Sequence, residues 1–443
     1  IPGWLRPWVF VKTTDRFYHT LTGIELSPEA FNRTYMVELM PGTRDEDAAK
    51  GGRPSIMPCD FALNLKGKFV KKVDGVVYDP RWQGAEPFFE QDGKIYVNSY
   101  LTSSLPALDD KNSGNAERMF KLHLSKIIRE ESYRQVLLDW AAYIVQNPGR
   151  KIRWVPVIQG AQGCGKSIIL NIIGAALGRG NVKLSNPGST KSDFNDWAAG
   201  AQVVGIEEIR VKGTNKSEIM DKLKDLTTND QVALNRKNRD VVTIDNVTNF
   251  IAFTNYHDAL HLTADDRRYF VVKCRIQSKA QKEALAAETV GGLPYFQYLA
   301  KLMEKGGAVR HFLLNHAISP SFNPDGDAPD TTYRRQMIEE SKGPLQLAIE
   351  DMVRSGEYPM IGSDLVLYED LAGRTRALCK HYETPSHFLY ELGFQPHNGS
   401  QRYAVNGSRS QVWVHPDNYD EDLFGDPVAE LKRRYLAIPD ENL

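Results

Sequence analysis

Residues 160–167 read Gly-Ala-Gln-Gly-Cys-Gly-Lys-Ser, a complete G-x-x-x-x-G-K-S stretch set between two apolar runs, Trp154–Ile158 and Ile168–Leu177. Glycine at 160, 163 and 165 permits a concave loop whose backbone N–H groups point at phosphate oxygens, an approach that side chains would block. Ala161, Gln162 and Cys164 complete the loop. Lys166 then reaches the β- and γ-phosphates, and the Ser167 hydroxyl is placed to ligate the magnesium ion that neutralises them. The flanking runs read as a buried strand and an apolar helix whose N-terminus faces the anion. The stretch therefore predicts a strand, loop and helix that bind a nucleoside triphosphate with residues 160–167. A glycine-rich turn carrying a surface lysine is the bland alternative, and it would lack this frame.

Composition sets looser bounds. With 443 residues, 41% hydrophobic and 25% charged, the chain is ordinary for a globular protein and long enough for roughly two to four domains. Its formal net charge of −1 supplies no bulk positive field, so any nucleic-acid contact has to come from a local cluster. Cys59, Cys164, Cys274 and Cys379 are scattered. That spacing points to a reducing compartment without a structural zinc or disulfide framework, with Cys164 at a permissive loop position. There is no uninterrupted apolar run of about 18 residues and no charged-then-apolar leader, which places the chain in the cytoplasm. Because it opens on Ile1, a longer polypeptide with a further N-terminal domain is expected.

Along the chain, residues 1–115 alternate short aromatic-rich segments, such as Trp8–Val11 and Lys94–Val97, with Gly-containing turns, and read as a mixed α/β N-terminal region. Asp109–Asn115 reads as a polar linker. Residues 116–150 form a helical prelude, with apolar positions at helical spacing up to Ile144 and a stop at Asn147-Pro-Gly149. A nucleotide-binding core is expected over 151–340, including an irregular connector at Ser319–Thr332, and a small separate domain over 341–443. In the latter, a helix ending near Phe394 precedes two expected strands, Gln401–Val405 and Gln411–Val414, joined by a turn at Asn406-Gly407-Ser408. Helices followed by such a wing resemble a winged-helix fold, and His397, Arg402 and Arg409 are possible phosphate contacts. Packing against the core is the alternative, because Asp417–Asp426 is strongly acidic.

Within the core, Ala201–Glu208 is an apolar run ending in paired carboxylates. Glu207 is assigned to the shell of the metal ion and Glu208 to polarising the attacking water; a solvated strand terminus is the competing reading. Asn249–Asn255 is apolar until its Thr-Asn tip, where Asn255 is placed to sense the γ-phosphate or the lytic water. Asp265-Asp-Arg-Arg268 precedes another apolar strand, Tyr269–Val272. An arginine there, if it lies at a subunit edge, reaches a neighbour's γ-phosphate more readily than its own. Leu234–Asp240 carries Arg236, Lys237 and Arg239 at the tip of an expected turn and strand, a basic loop suited to sequence-independent phosphate contacts weakened by salt.

The order and spacing of GAQGCGKS, VVGIEEI, the basic loop, IAFTN and DDRRYF resemble superfamily 3 helicases, and among them the phage and poxvirus-type primase-helicases. WAAYIVQNPGRK, FNDWAAGAQ and GGLPYFQYL extend the likeness over about 120–340, with a weaker continuation through 1–120. The resemblance implies an α/β fold with an AAA+ type P-loop core, a helical subdomain, a mixed N-terminal collar and a C-terminal winged helix. It implies ATP and Mg2+ as cofactors. It also implies a hexameric ring that translocates 3′ to 5′ on single-stranded DNA and unwinds forked DNA. The family's phosphate-loop lysine and serine match Lys166 and Ser167, its acidic pair matches Glu207 and Glu208, and its sensor asparagine matches Asn255. Its trans-acting arginine matches Arg267, with Arg268 the close competitor, and its channel lysine matches Lys237, flanked by Arg236 and Arg239. Relatives carry a primase-polymerase domain ahead of the helicase, but Asp15, Asp60 and Asp109 are scattered rather than paired on strands, so polymerisation is not expected from this stretch. Two other readings stay open: a P-loop small-molecule kinase, and an ATP-binding origin or replisome scaffold without turnover.

Overall fold

Val155–Gln159 is buried at every position, which suits a central strand of a parallel sheet covered on both faces. The computed structural model describes residues 1–39, 56–64, 69–82, 84, 86–185, 196–209, 216–235, 241–256, 259–260, 262–263, 265–379 and 384–438. The fold is mixed α/β with several sheets, and the chain divides into two compact units, Ile1–Ile338 and Glu339–Leu443.

In the larger unit, helices α1 (Asp110–Ile127) and α2 (Glu131–Gln146) lead to strand β1 (Val155–Gln159) and helix α3 (Ile168–Leu177). Next come β2 (Val182–Ser185), β3 (Val203–Ile206), helix α4 (Lys216–Thr228), the hairpin strands β4 (Gln231–Leu234) and β5 (Val242–Asp245), β6 (Asn249–Thr254) and β7 (Tyr269–Lys273). Helices α5 (Lys279–Ala287), α6 (Tyr295–Glu304) and α7 (Gly306–Asn315) follow, and a further helix, Thr332–Ser341, buries Met337 in the core. The central sheet has the order β7-β1-β6-β3-β2, and every pairing in it is parallel.

Strand periodicity divides the core in two. Ile158, Val203, Ile251, Phe253, Phe270 and Val272 pack with α1, α2, α3, α6 and α7. Their neighbours Val157, Val204, Phe250, Ala252, Tyr269 and Val271 pack on the other face with Leu223 and Leu226 of α4, as alternation at period two requires. Helix α3 lies close on the sheet at Gly205, where an added Cβ would stand 2.3 Å from Leu170 Cδ2.

Two readings of the prelude differ from the structure. The periodic run 116–146 is two helices, because Ile128 leaves α1 in an extended conformation and forms a backbone bridge with Cys274. The main-chain N–H of Arg275 also donates to Ile127 O at 2.7 Å. Asp109–Asn115 is no linker: the Asp109 carboxylate caps α1 by accepting from Asn112 N at 3.2 Å, satisfying an otherwise orphaned helix N–H.

The β4–β5 hairpin is antiparallel and is tied down at its base. Lys151, buried, donates to Leu226 O at 2.6 Å and Thr248 O at 2.9 Å. Asn246 donates to Leu226 O and Asn229 O, both at 2.8 Å. Arg153 donates to Thr228 O and pairs with Asp230, and Arg81 pairs with Asp245 at 2.6 Å. Arg236, Lys237 and Arg239 lie outside the described residues. The N-terminal region contributes a four-stranded sheet and a three-stranded sheet, with an aromatic cluster in which Phe17 stacks on Phe31 at 3.7 Å.

The smaller unit holds helices Pro344–Ser355, Tyr368–Thr375, Pro385–Glu391 and Pro427–Leu436. Val412–Val414 pairs with Leu365–Leu367 and Gln395–Pro396, while Tyr403–Ala404 pairs with Arg409–Ser410. The expected pairing of 401–405 with 411–414 is therefore replaced by a shorter hairpin. The N–H of Tyr368 donates to Gln411 O at 3.0 Å and Ser410 Oγ donates to Glu369, which ties residues 410–411 to the segment after Leu365–Leu367. Arg402 pairs with Glu369 at 3.2 Å, and His397 lies 3.8 Å from both Glu421 and Asp426. Among the described residues no helix is long and apolar enough to cross a membrane.

Phe270, fully buried between Tyr133 and Trp154, should be a keystone of the larger unit. Phe270→Ala is expected to destabilise that unit by about 3–5 kcal/mol, and Val241→Ala at an exposed position by under about 0.5 kcal/mol, in urea unfolding followed by tryptophan fluorescence.

Candidate functional site

Parallel pairing brings three strand ends to one edge. Thr254 faces Gln159 across β6 and β1, and Ile206 faces Ala252 across β3 and β6. The segments that follow, 160–167, Glu207-Glu208 and Asn255, therefore share the carboxyl edge of the sheet, where open α/β folds bind ligands. Loop 160–167 is pinned there by Gly160 N donating to Thr254 O at 3.0 Å and Ala161 N to Ile276 O at 3.1 Å.

Lys166 curls back over this loop. Its buried ammonium donates to Gly160 O at 2.6 Å, Ala161 O at 2.8 Å and Asn255 Oδ1 at 3.0 Å. The structure thus joins two of the residues singled out in the sequence, Lys166 and Asn255, by a direct hydrogen bond. Gly163 and Gly165 have φ of 74° and 98°, a region costly for other residues. At Gly160 the constraint is space, since an added Cβ would stand 2.4 Å from Cys274 Cβ. Ser167 begins α3 without using its hydroxyl as a cap, so that oxygen remains available at the helix N-terminus.

Cys164 is not at a permissive position. It is fully buried beneath the loop beside Cys274, with its sulfur 3.8 Å from Lys166 Nζ. A hydrogen bond from the Cys274 thiol holds Cys164 below the ordinary thiol range, and the same contact with burial pushes Cys274 up.

Glu207 continues the ladder, its N–H donating to Ser185 O at 3.0 Å, and is half-buried; Glu208 is exposed. Glu208 has φ of 49°, in the left-handed region that a glutamate occupies only at a cost of about 1–3 kcal/mol. The chain then re-enters the fold, with Ile209 N donating to Phe253 O at 3.0 Å. Among the described residues no three or more His, Cys, Asp or Glu side chains converge on a metal position. The Ser167 hydroxyl and the Glu207 carboxylate at this edge are the kind of donor set that magnesium accepts, since it keeps several waters and takes few protein ligands.

Arg267 and Arg268 are elsewhere. Val155 N donates to Arg268 O at 2.8 Å, which puts both arginines at the amino edge of the sheet. They lie roughly 15 Å from loop 160–167 along β1, at about 3.3 Å per residue. Arg267 reaches into solvent with its side chain 68% exposed and pairs loosely with Asp327 at 3.4 Å. Arg268 is tucked in beside Asp266 at 3.6 Å with 19% exposure.

One residue here escaped the sequence reading. His123 of α1 is fully buried, with Nε2 3.1 Å from Gly165 O and Nδ1 2.8 Å from the Tyr295 hydroxyl. A carbonyl only accepts, so Nε2 carries the proton and Nδ1 accepts from Tyr295. This neutral ring holds the loop from below, and an added Cβ on Gly165 would stand 3.0 Å from it. A single histidine on an apolar helical stripe carries no sequence signal for that role.

A protein-family model described as a family of unknown function (DUF5906) matches residues 158–268. The DNA Primase-polymerase of Nitratiruptor phage NrS-1 is 24% identical over 226 residues, covering 50% of this chain and 31% of that relative. The chain thus spans about a third of the length of the curated relative it matches. The apo structure of the NrS-1 C terminal region aligns with a TM-score of 0.60 at 14% identity, covering 90% of this chain and 93% of that one. An A form apo structure of the same region aligns at 0.61 and 14%, covering 92% and 96%. The two chains share a fold.

Burial lowers the His123 imidazole from its ordinary 6.5 to about 4. The unfolded chain takes up this proton near 6.5 and the folded chain only near 4, so the contribution is complete above 6.5 and is lost as pH falls toward 4. Wild-type protein should lose on the order of 3 kcal/mol more between those values than His123→Gln. Urea unfolding at stepped pH measures the difference in slope.

Proposed function

We propose that this chain is the ATPase motor of a phage-type replication helicase, an AAA+ protein of superfamily 3 with a C-terminal winged helix, assembled as a hexameric ring on single-stranded DNA. The observation that carries the reading is the hydrogen bond between Lys166 and Asn255 at the carboxyl edge of the sheet. It links the phosphate loop to the polar tip of a neighbouring strand where acids from β3 also end. The strand order β7-β1-β6-β3-β2 and the fold shared with the C terminal region of a phage primase-polymerase support it.

In this mechanism the phosphates of ATP displace the carbonyl contacts of Lys166, whose ammonium moves onto the β- and γ-oxygens. Magnesium, held by Ser167 and Glu207, would supply charge neutralisation across the same oxygens. Glu208 accepts a proton from the water that attacks the γ-phosphorus, and the bond to the bridging oxygen breaks so that ADP leaves with that electron pair. Asn255 aligns the water. Arg267, too far from its own loop, extends from the opposite edge to stabilise a neighbour's transferring phosphoryl group. The hairpin bearing Arg236, Lys237 and Arg239 follows the backbone of the strand through non-specific phosphate contacts, and unwinding runs 3′ to 5′ at a fork.

ATP turnover should be stimulated by single-stranded DNA and fall at least about a hundredfold in Lys166→Ala and in Arg267→Ala. Mixing the two inactive proteins should restore part of the turnover, because some interfaces pair an intact loop with an intact arginine. No recovery, with each variant folded, would instead indicate a self-contained site. Nucleotide-dependent assembly without turnover in the wild type would indicate a scaffold.

A further inference from the structure

We propose that Lys282 is a second cationic ligand for the polyphosphate of the nucleotide held at loop 160–167, acting beside Lys166; this rests on reading that loop as a nucleotide site. Neither the sequence motifs nor the relatives point to this residue. The geometry does. A Cβ built on Gly163 would lie 2.6 Å from Lys282 Nζ and 2.9 Å from its Cε, so the ammonium rests directly against the middle of the loop.

The placement of Lys282 is built into the fold. After β7 the chain runs alongside the loop, with Ala161 N bonded to Ile276 O. A capping box between Ser278 and Gln281 then starts α5, and Leu285 of that helix is buried in the core. Lys282, half-buried, falls on the turn that faces Gly163. Its ammonium has no hydrogen-bond or ion-pair partner among the described residues. The carboxylates of its own helix and of the residue that ends it pair with other lysines, Glu283 with Lys279 and Glu288 with Lys126.

An ammonium set against a loop that already carries the Lys166 ammonium gains nothing from that like charge. A polyphosphate reverses that sign. Gly163 itself is required by its φ of 74°, and the absence of a Cβ leaves room for the lysine tip against the loop. Lys282 therefore marks α5 as the upper wall of the phosphate site, with His123 and Cys164 below.

The test uses the full chain and fluorescent ATP, with inorganic tripolyphosphate as a competitor lacking base and ribose. Lys282→Met, which keeps length and removes charge, should weaken both ATP and tripolyphosphate binding about tenfold, while Lys282→Arg stays within about threefold of wild type. Nucleotide-free thermal unfolding should be the same in all three proteins, and Lys282→Gln replaces the methionine variant if that protein does not fold. Wild-type affinity in Lys282→Met overturns the proposal. So does a loss confined to ATP, which would put the ammonium on base or ribose, or an arginine variant as weak as the methionine one. If wild-type protein binds no ATP, the reading of the loop itself fails, and that result is distinct from the others.

Discussion

A buried ammonium has to be answered by oxygen atoms, and in this chain the answer given to Lys166 organises the carboxyl edge of the central sheet. Three acceptors from two strand ends, Gly160, Ala161 and Asn255, surround it. They stay in place because β1 and β6 are parallel and in register, so their ends cannot drift apart without breaking the centre of the sheet. Desolvating a charge is costly unless it is fully bonded. The three contacts of Lys166 are what make its burial tolerable.

The layers below and beside this edge follow from the same constraint. Helix α1 supplies His123 as a neutral prop under Gly165, and the pairing of Ile128 with Cys274 brings the segment after β7 against the loop. Cys164 and Cys274 fill the space between, where anything larger at Gly160 would strike Cys274. The loop is thus fixed from several directions by packing, while its outward surface keeps polar groups.

Four of the central strands, 155–159, 203–206, 249–254 and 269–273, were legible because each is a short, mainly apolar run that ends at a polar tip, whereas Val182–Ser185, with Lys183 exposed at the sheet edge, was not. Helix α3 was legible to the residue because the loop defines its start and Gly178, with φ of 82°, its end. What the pattern could not show was tertiary override. Residues 116–146 keep helical spacing through a break imposed by a strand distant in sequence, and Asp109–Asn115 looks like a linker until the Asp109 carboxylate is seen capping a helix. In the smaller unit, short antiparallel pairings left the register to contacts such as Tyr368 with Gln411. His123 and Lys282 were invisible for a related reason: each meets the loop from a separate helix, and no local spacing encodes that meeting.

The base of the β4–β5 hairpin is held by Lys151, Arg153, Asn246 and Arg81, which reach it from the approach to β1, the approach to β6 and the N-terminal region. Lys151, Arg153 and Asn246 sit just ahead of the amino ends of β1 and β6, whose carboxyl ends lead into Gly160 and Asn255. The base of the hairpin is therefore bonded to the segments that open the same two strands whose far ends position Gly160 and Asn255. One pair of parallel strands thus joins the footing of the hairpin at one end to the acceptors of Lys166 at the other.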